Sequence, residues 1–221
     1  MIGVRRPREI PRSLTELTTQ NRYRNDDVVE TLAETFHDKC YICEQRPVSD
    51  PEVEHLRPHK GGEHQDRKFD WNNLFYVCHH CNTVKNKPRY EEGIIDCCVR
   101  DPEQLLSQEL VDDEVHVAPL AEHDDEAGLT AELIEEVFMT DHPRLRSKAS
   151  SVRLKELQIT MNVLYTKLAD YRSGEDCRAE DTIAAMLRPE ARYAGFTRHF
   201  VRTHIDAYPG LRRYLTSPLG Q

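Results

Sequence analysis

No stretch of this chain approaches the roughly 18 consecutive apolar residues that a membrane-spanning helix requires, so no membrane partner is expected. The N-terminal MIGVRRPREIPRSL lacks the apolar core of a secretory signal, which makes the cytoplasm the expected compartment. Internal repeats and low-complexity segments are absent. With 38% hydrophobic and 31% charged residues, the composition is too apolar for disorder and suits one large domain or two small ones. Basic charge is nearly missing from one stretch: residues 88–141 hold 2 Lys+Arg against 17 Asp+Glu. Residues 1–87 balance at 14 and 14, and residues 142–221 carry 14 against 8. The net charge of -9 thus comes from the middle alone, and overall acidity does not exclude a local phosphate-binding surface.

Cysteine is present and patterned. Of seven cysteines, four form the pairs Cys40/Cys43 and Cys78/Cys81, with 34 residues between the pairs. Two such knuckles meeting at one ion make a tetrahedral structural zinc site. Cys97, Cys98 and Cys177 read as small buried hydrophobes.

The chain divides into a basic arm and N-terminal helix over 1–38, a core over 39–95, an acidic connecting segment over 96–127 and a helical region over 128–221. In the arm, Ser13-x-x-Glu16 predicts a capping box for a short helix. Asn25-Asp26-Asp27 opens an amphipathic helix with Val28, Val29, Leu32, Ala33 and Phe36 on one face. Strands are predicted over Glu52–Leu56, Leu74–Cys78 and Ile94–Val99, with a polar loop at His59–Phe69 and a helix from His79 to about Lys87, stopped by Pro88. A soft boundary at 122–128 precedes the helices. The longest, Pro143–Tyr171, carries Leu154, Leu157, Met161, Leu164, Leu168 and Tyr171 on one apolar seam. Further helices are expected near 179–188 and 190–207, the last with Phe196, Phe200, His204 and Tyr208 on one face.

The chemistry lies in VEHLRPH (53–59), WNNL (71–74) and CHHCNTVKNKP (78–88). A metal-dependent phosphodiester hydrolase needs a base, a hard cation, ligands for that cation and a group that orients the base. His55 is the candidate base, since a neutral imidazole accepts water's proton near neutral pH. Glu54 supplies a carboxylate suited to Mg²⁺, and Asn82 an amide oxygen. Asn73 can hydrogen-bond the loop carrying His55. Arg57, Lys85, Lys87 and Arg89 are the candidate phosphate clamps.

CYIC…VEHLRP…WNNLFYVCHHCNTVK resembles the HNH endonucleases, with their Cys-x-x-Cys…(Asp/Glu)-His-x-x-Pro…Asn-Leu…Cys-x-x-Cys-(His/Asn)-x-x-Lys pattern. The resemblance implies an α+β fold: a small zinc-stabilised ββα-metal core with surrounding, mainly C-terminal, helices. It assigns His55 as general base, Glu54 and Asn82 as ligands of a catalytic Mg²⁺ or Mn²⁺, Asn73 as the middle Asn, and the four cysteines as ligands of a structural zinc ion. Water would attack the phosphate in line, leaving 5′-phosphate and 3′-hydroxyl ends. Two departures are Glu54 in place of the commoner Asp and Asn82 in place of a third His. His59, His79 and His80 lie close enough to complicate the assignment.

The P-R-S-L-T-E leader, the C-Y-I-C-E-Q knuckle, the Glu-His pair and the helical C-terminal half are similar to the PtuB-like nucleases, the HNH subunits of Septu-type and some retron anti-phage systems. That likeness implies DNA as substrate and an ATPase as partner protein. No target-reading domain is visible, so targeting would come from the partner. A stand-alone restriction-type nuclease, an RNA nuclease and a non-catalytic zinc adaptor remain alternatives.

Overall fold

The computed structural model describes residues 1–16, 23–91, 93–140 and 145–220. It is mixed α+β: two small antiparallel sheets lie in the first half and near the middle, and the C-terminal part is mostly helical. No helix among the described residues is long and apolar enough to cross a membrane.

Two short helices start the chain, α1 (Arg12–Thr15) and α2 (Asp26–Thr35). The expected capping box is not formed. Ser13 sits inside α1, and its amide and hydroxyl both donate to Asp27, at 3.0 and 2.6 Å, so the serine ties α1 to α2 instead. Asp26 and Asp27 lie in the first turn of α2, where a helix N-terminus favours negative charge. Val28, Leu32 and Phe36 face inward, as the 3.6-residue period predicts. The arm itself is not free: Met1, Ile2 and Val4 are buried, and the Val4 amide donates to the Cys97 carbonyl at 2.9 Å.

Strands β1 (Pro51–His55) and β2 (Leu74–Cys78) pair antiparallel, with Glu54 opposite Phe75 and His55 opposite Leu74. Every residue of β2 is buried, as its unbroken apolar run LFYVC requires. Between them the predicted polar loop contains a short helix, α3 (Gln65–Lys68), and after β2 the chain turns at once into α4 (His79–Lys85).

Ile94–Val99 is not a strand but a set of turns. Ile94, Ile95 and Cys97 are buried between separate elements, and the Ile95 amide donates to the Thr130 hydroxyl at 2.8 Å. The acidic segment that follows holds a hairpin of β3 (Leu106–Val111) and β4 (Glu114–Pro119). Its two-residue turn, Asp112-Asp113, has φ of 49° and 66°, the left-handed pair that a tight hairpin needs and that Asp tolerates.

Residues 122–128 lead into a helix. Asp124 accepts the Ala127 amide and caps α5 (Asp125–Phe138), while Arg100 pairs with Asp124 and Glu126. The acidic run is therefore a helix start. Helix α6 (Leu145–Ser173) follows, and Leu157, Met161, Leu164 and Leu168 of its seam are buried in the common core. Leu154 and Tyr171 are partly buried at the seam's edges. Pro143, the predicted start of α6, lies outside the described residues. Helices α7 (Ala179–Met186) and α8 (Ala194–Thr203) complete the chain. Because α8 ends at Thr203, His204 and Tyr208 of the expected face lie beyond it, and the His204 ring stacks on Phe200 at 4.2 Å.

One fully buried arginine locks the C-terminal end. Arg198 on α8 makes two bonds to Glu103, at 2.8 and 3.0 Å, and donates to the carbonyls of Leu187, Tyr214 and Thr216. A buried charge left without its partner is costly. Arg198→Met should therefore lower stability by about 3–5 kcal/mol, read as a fall in the urea midpoint at unchanged slope; a change confined to a few tenths of a kcal/mol would show that Arg202 alone satisfies Glu103.

Candidate metal centre and its adjoining cleft

The turn after α2 carries Cys40 and Cys43, closed by the Glu44 amide donating to the Cys40 carbonyl at 2.9 Å. Cys78 ends β2 and Cys81 lies in the first turn of α4, so the strand-to-helix junction brings the second pair to the first. All four side chains are buried, and their sulfurs lie within 4.8 Å of one another, with Cys43 Sγ and Cys78 Sγ 3.9 Å apart. A zinc tetrahedron with arms of about 2.3 Å has edges of about 3.8 Å. The donor set, its burial and its spacing are thus consistent with a structural Zn²⁺.

Four thiolates around a divalent ion leave a net negative charge. Arg153, reaching in from α6, donates to Cys78 Sγ at 3.1 Å and supplies the compensating cation. His80, next to the ligands, is buried and bonds the Val137 carbonyl at 3.0 Å, joining α4 to α5. His79 points outward and pairs with Glu52 at 2.8 Å.

Beside this centre, β1, α4 and the loop after β1 enclose a cleft of about 190 Å³ lined by residues including Tyr23, Arg24, Glu54, His55, His59 and Asn82. His55 Nε2 lies 3.1 Å from the Lys68 carbonyl. A carbonyl only accepts, so Nε2 carries the proton and Nδ1 keeps its lone pair. Burial, above all, lowers the His55 pKa to about 4, which leaves the ring neutral near pH 7. The rings of Tyr23 and His59 meet it edge-on, with centroids 4.6 and 4.8 Å away.

Asn73 holds the loop rather than the ring. Its Oδ1 accepts the Arg57 amide at 2.8 Å, and its Nδ2 donates to the carbonyls of Arg57 and Arg67, both at 2.9 Å. The Arg67 carbonyl is one residue before the Lys68 carbonyl that bonds His55, so Asn73 orients the His55 ring at one remove.

Glu54 is buried, with one oxygen accepting from the Tyr41 hydroxyl and the other 3.0 Å from Lys85 Nζ. Burial pushes its carboxyl up, against the pull of the Lys85 ammonium and the Tyr41 hydroxyl. Both oxygens are engaged, so Glu54 as arranged does not fit the role of an open ligand for a divalent ion. Asn82 lines the cleft and donates its amide to Glu52, a residue outside the expected site.

Three of the four expected phosphate clamps are paired within the chain, Lys85 buried, Lys87 partly exposed and Arg89 exposed. Lys85 is buried and also donates to the carbonyls of His55 and Leu56, at 3.1 and 3.0 Å. Lys87 and Arg89 pair with Glu136 on α5, and Arg89 also with Glu132. Their ion pairs draw them to the acidic helix. Arg57 is exposed.

Glu52, Tyr23, Arg24 and Arg153 complete the surroundings. Glu52 was legible in principle, since residues two apart on a strand share a face and Glu54 marks that face. Nothing local marks Arg153, more than 70 residues from Cys78 in sequence.

Compared with known proteins, the chain matches no family model, no curated protein and no solved structure.

The purified chain should hold one zinc ion per molecule by elemental analysis, and Cys81→Ser should lose both the ion and stability, because a structural site contributes folding energy directly. Arg153→Met should weaken retention of zinc against a chelator by about 10–100-fold. Full metal content in the serine variant would exclude a four-cysteine site.

Proposed function

We propose that this chain is a nuclease of the HNH type that hydrolyses DNA phosphodiester bonds, acting as the effector of an anti-phage complex beside an ATPase partner. The observation that carries the reading is a neutral, oriented imidazole in the cleft of a ββα unit. His55 has Nε2 committed to the Lys68 carbonyl and Nδ1 free to take a proton from water. Asn82 enters the same cleft from α4, directly after Cys81, in keeping with the motif.

In this reading His55 Nδ1 removes the proton from the attacking water, and the Lys68 carbonyl stabilises the imidazolium that results, because it accepts from the opposite nitrogen. Asn73 keeps that carbonyl's neighbour in place, which limits rotation of the ring. Arg24 and Lys60, exposed and lining the cleft, and the exposed Arg57 beside it are cations that a phosphate there can meet. A divalent ion would neutralise charge developing on the phosphate.

The closed environment of Glu54 favours a second reading, a zinc-built module that binds without cutting.

Cleavage of supercoiled plasmid in Mg²⁺ or Mn²⁺ separates the two. The zinc-loaded chain, with and without an ATPase partner, should nick or linearise the plasmid, and His55→Ala should lower the rate by about 10²–10⁴-fold without altering the thermal midpoint. Equal rates in both proteins would remove His55 from the role of base. An intact plasmid in every assembly would favour the binding module.

A further inference from the structure

Helix α4 meets β1 along a polar ladder. His79, Asn82 and Lys85 follow one another at intervals of three on the helix, about 4.5 Å of rise per step. They face Glu52 and Glu54, two residues apart on the strand and so about 6.6 Å apart. The two ends of this ladder differ.

At the Glu54 end the cation is already built in. Lys85 Nζ has three N–H donors, and Glu54, the His55 carbonyl and the Leu56 carbonyl, at 3.0–3.1 Å, take all three. Tyr41 takes the other Glu54 oxygen. Seating a divalent ion there would displace a buried ammonium and leave it unpaired, which is costly.

The Glu52 end is open. Glu52 is only partly buried and His79 is mostly exposed. One Glu52 oxygen meets the solvent-exposed His79 ring and the other meets the Asn82 amide, partners that water or an ion can replace more readily than a buried ammonium. Turning the Asn82 amide by half a rotation replaces its NH₂ with its oxygen at nearly unchanged shape. Glu52 and Asn82 then present two hard oxygen donors, with the remaining positions open to water, the usual pattern for Mg²⁺ or Mn²⁺. Asn82 also lines the cleft that holds His55, so an ion there borders the same space.

We propose that the divalent-cation site of this chain is formed by Glu52 and Asn82, and that Glu54 is a positioning residue which, through Lys85, fixes the backbone of His55. The use of the ion rests on the nuclease reading, whereas its binding does not.

The test is direct Mn²⁺ binding to the full-length, zinc-loaded chain, followed by loss of the free-ion electron paramagnetic resonance signal. Glu52→Gln should weaken binding at least tenfold. The double variant Glu54→Gln, Lys85→Met removes both buried charges together and should bind Mn²⁺ within twofold of the parent chain. Parent-like affinity in E52Q, or no binding by the parent chain at millimolar Mn²⁺, would overturn the proposal. Glu52 is partly exposed and Gln keeps its shape, so E52Q decides the matter even if the double variant does not fold. Plasmid cleavage in the same samples keeps the two readings apart: Mn²⁺ bound through Glu52 with no cutting in any assembly would uphold this site and overturn the nuclease.

Discussion

Four thiols in one place constrain everything around them. Cys40 and Cys43 follow α2, and Cys78 and Cys81 straddle the end of β2 and the start of α4. Drawing them within 4.8 Å of one another fixes where the strand ends, where the helix begins and how the N-terminal helix lies against both. The 34 residues between the pairs become a closed loop, which is how a hairpin as short as β1–β2 holds its register, since two strands alone are marginal in water. Arg153 extends the same constraint to α6, because its guanidinium sits where the negative charge of a loaded centre would accumulate. The C-terminal helices thus depend on the metal centre as well as on their own apolar seams.

Buried ion pairs finish what the thiols begin. Glu54 with Lys85 joins β1 to α4, Glu44 with Lys39 braces the first knuckle, and Glu103 with Arg198 fastens α8 to the segment before β3. Such pairs add little net stability over a well-packed apolar equivalent, yet breaking one exposes the full desolvation cost of the other. They therefore specify which elements meet more than they strengthen the meeting. At the cleft this has a chemical consequence, because the Lys85 bonds to the His55 and Leu56 carbonyls hold the backbone on which the imidazole is mounted.

Much of the core was legible. Alternation and apolar runs marked β1 and β2, Pro88 marked the end of α4, and the cysteine spacing announced the cluster. The α6 seam was read correctly because a 3.6-residue period persists over a 29-residue helix. What failed was decided by contacts from far along the chain. Ser13 had the residue pattern of a cap, but Asp27 offered its hydroxyl and amide a better acceptor. Ile94–Val99 had strand composition and no strand to pair with: Ile94, Ile95 and Cys97 are buried, with backbone bonds to Val4 and to Thr130 of α5, and Val99 is left exposed. The hairpin at Asp112-Asp113 lay hidden in a stretch whose charge drew attention away from its turn chemistry.

Charge was the hardest signal to read, and it bears most on the cleft. Counting acidic residues over 88–141 suggests a repulsive surface, yet many of them are already partnered: Glu103 by Arg198 and Arg202, Glu136 by Lys87 and Arg89, and Asp124 and Glu126 by Arg100. Part of the segment's charge is thus spent on internal pairs, while Asp112, Asp113, Glu114, Glu122 and Asp125 stay exposed. Among those pairs, Glu136 takes Lys87 and Arg89, both still in part exposed. The ion pairs that secure α5 against the core hold Lys87 and Arg89 beside that helix, while the cations lining the cleft itself are Arg24, Lys60 and Lys85. Near Asn82, packing thus has first use of the basic side chains: Lys85 serves Glu54, and Lys87 and Arg89 serve Glu136.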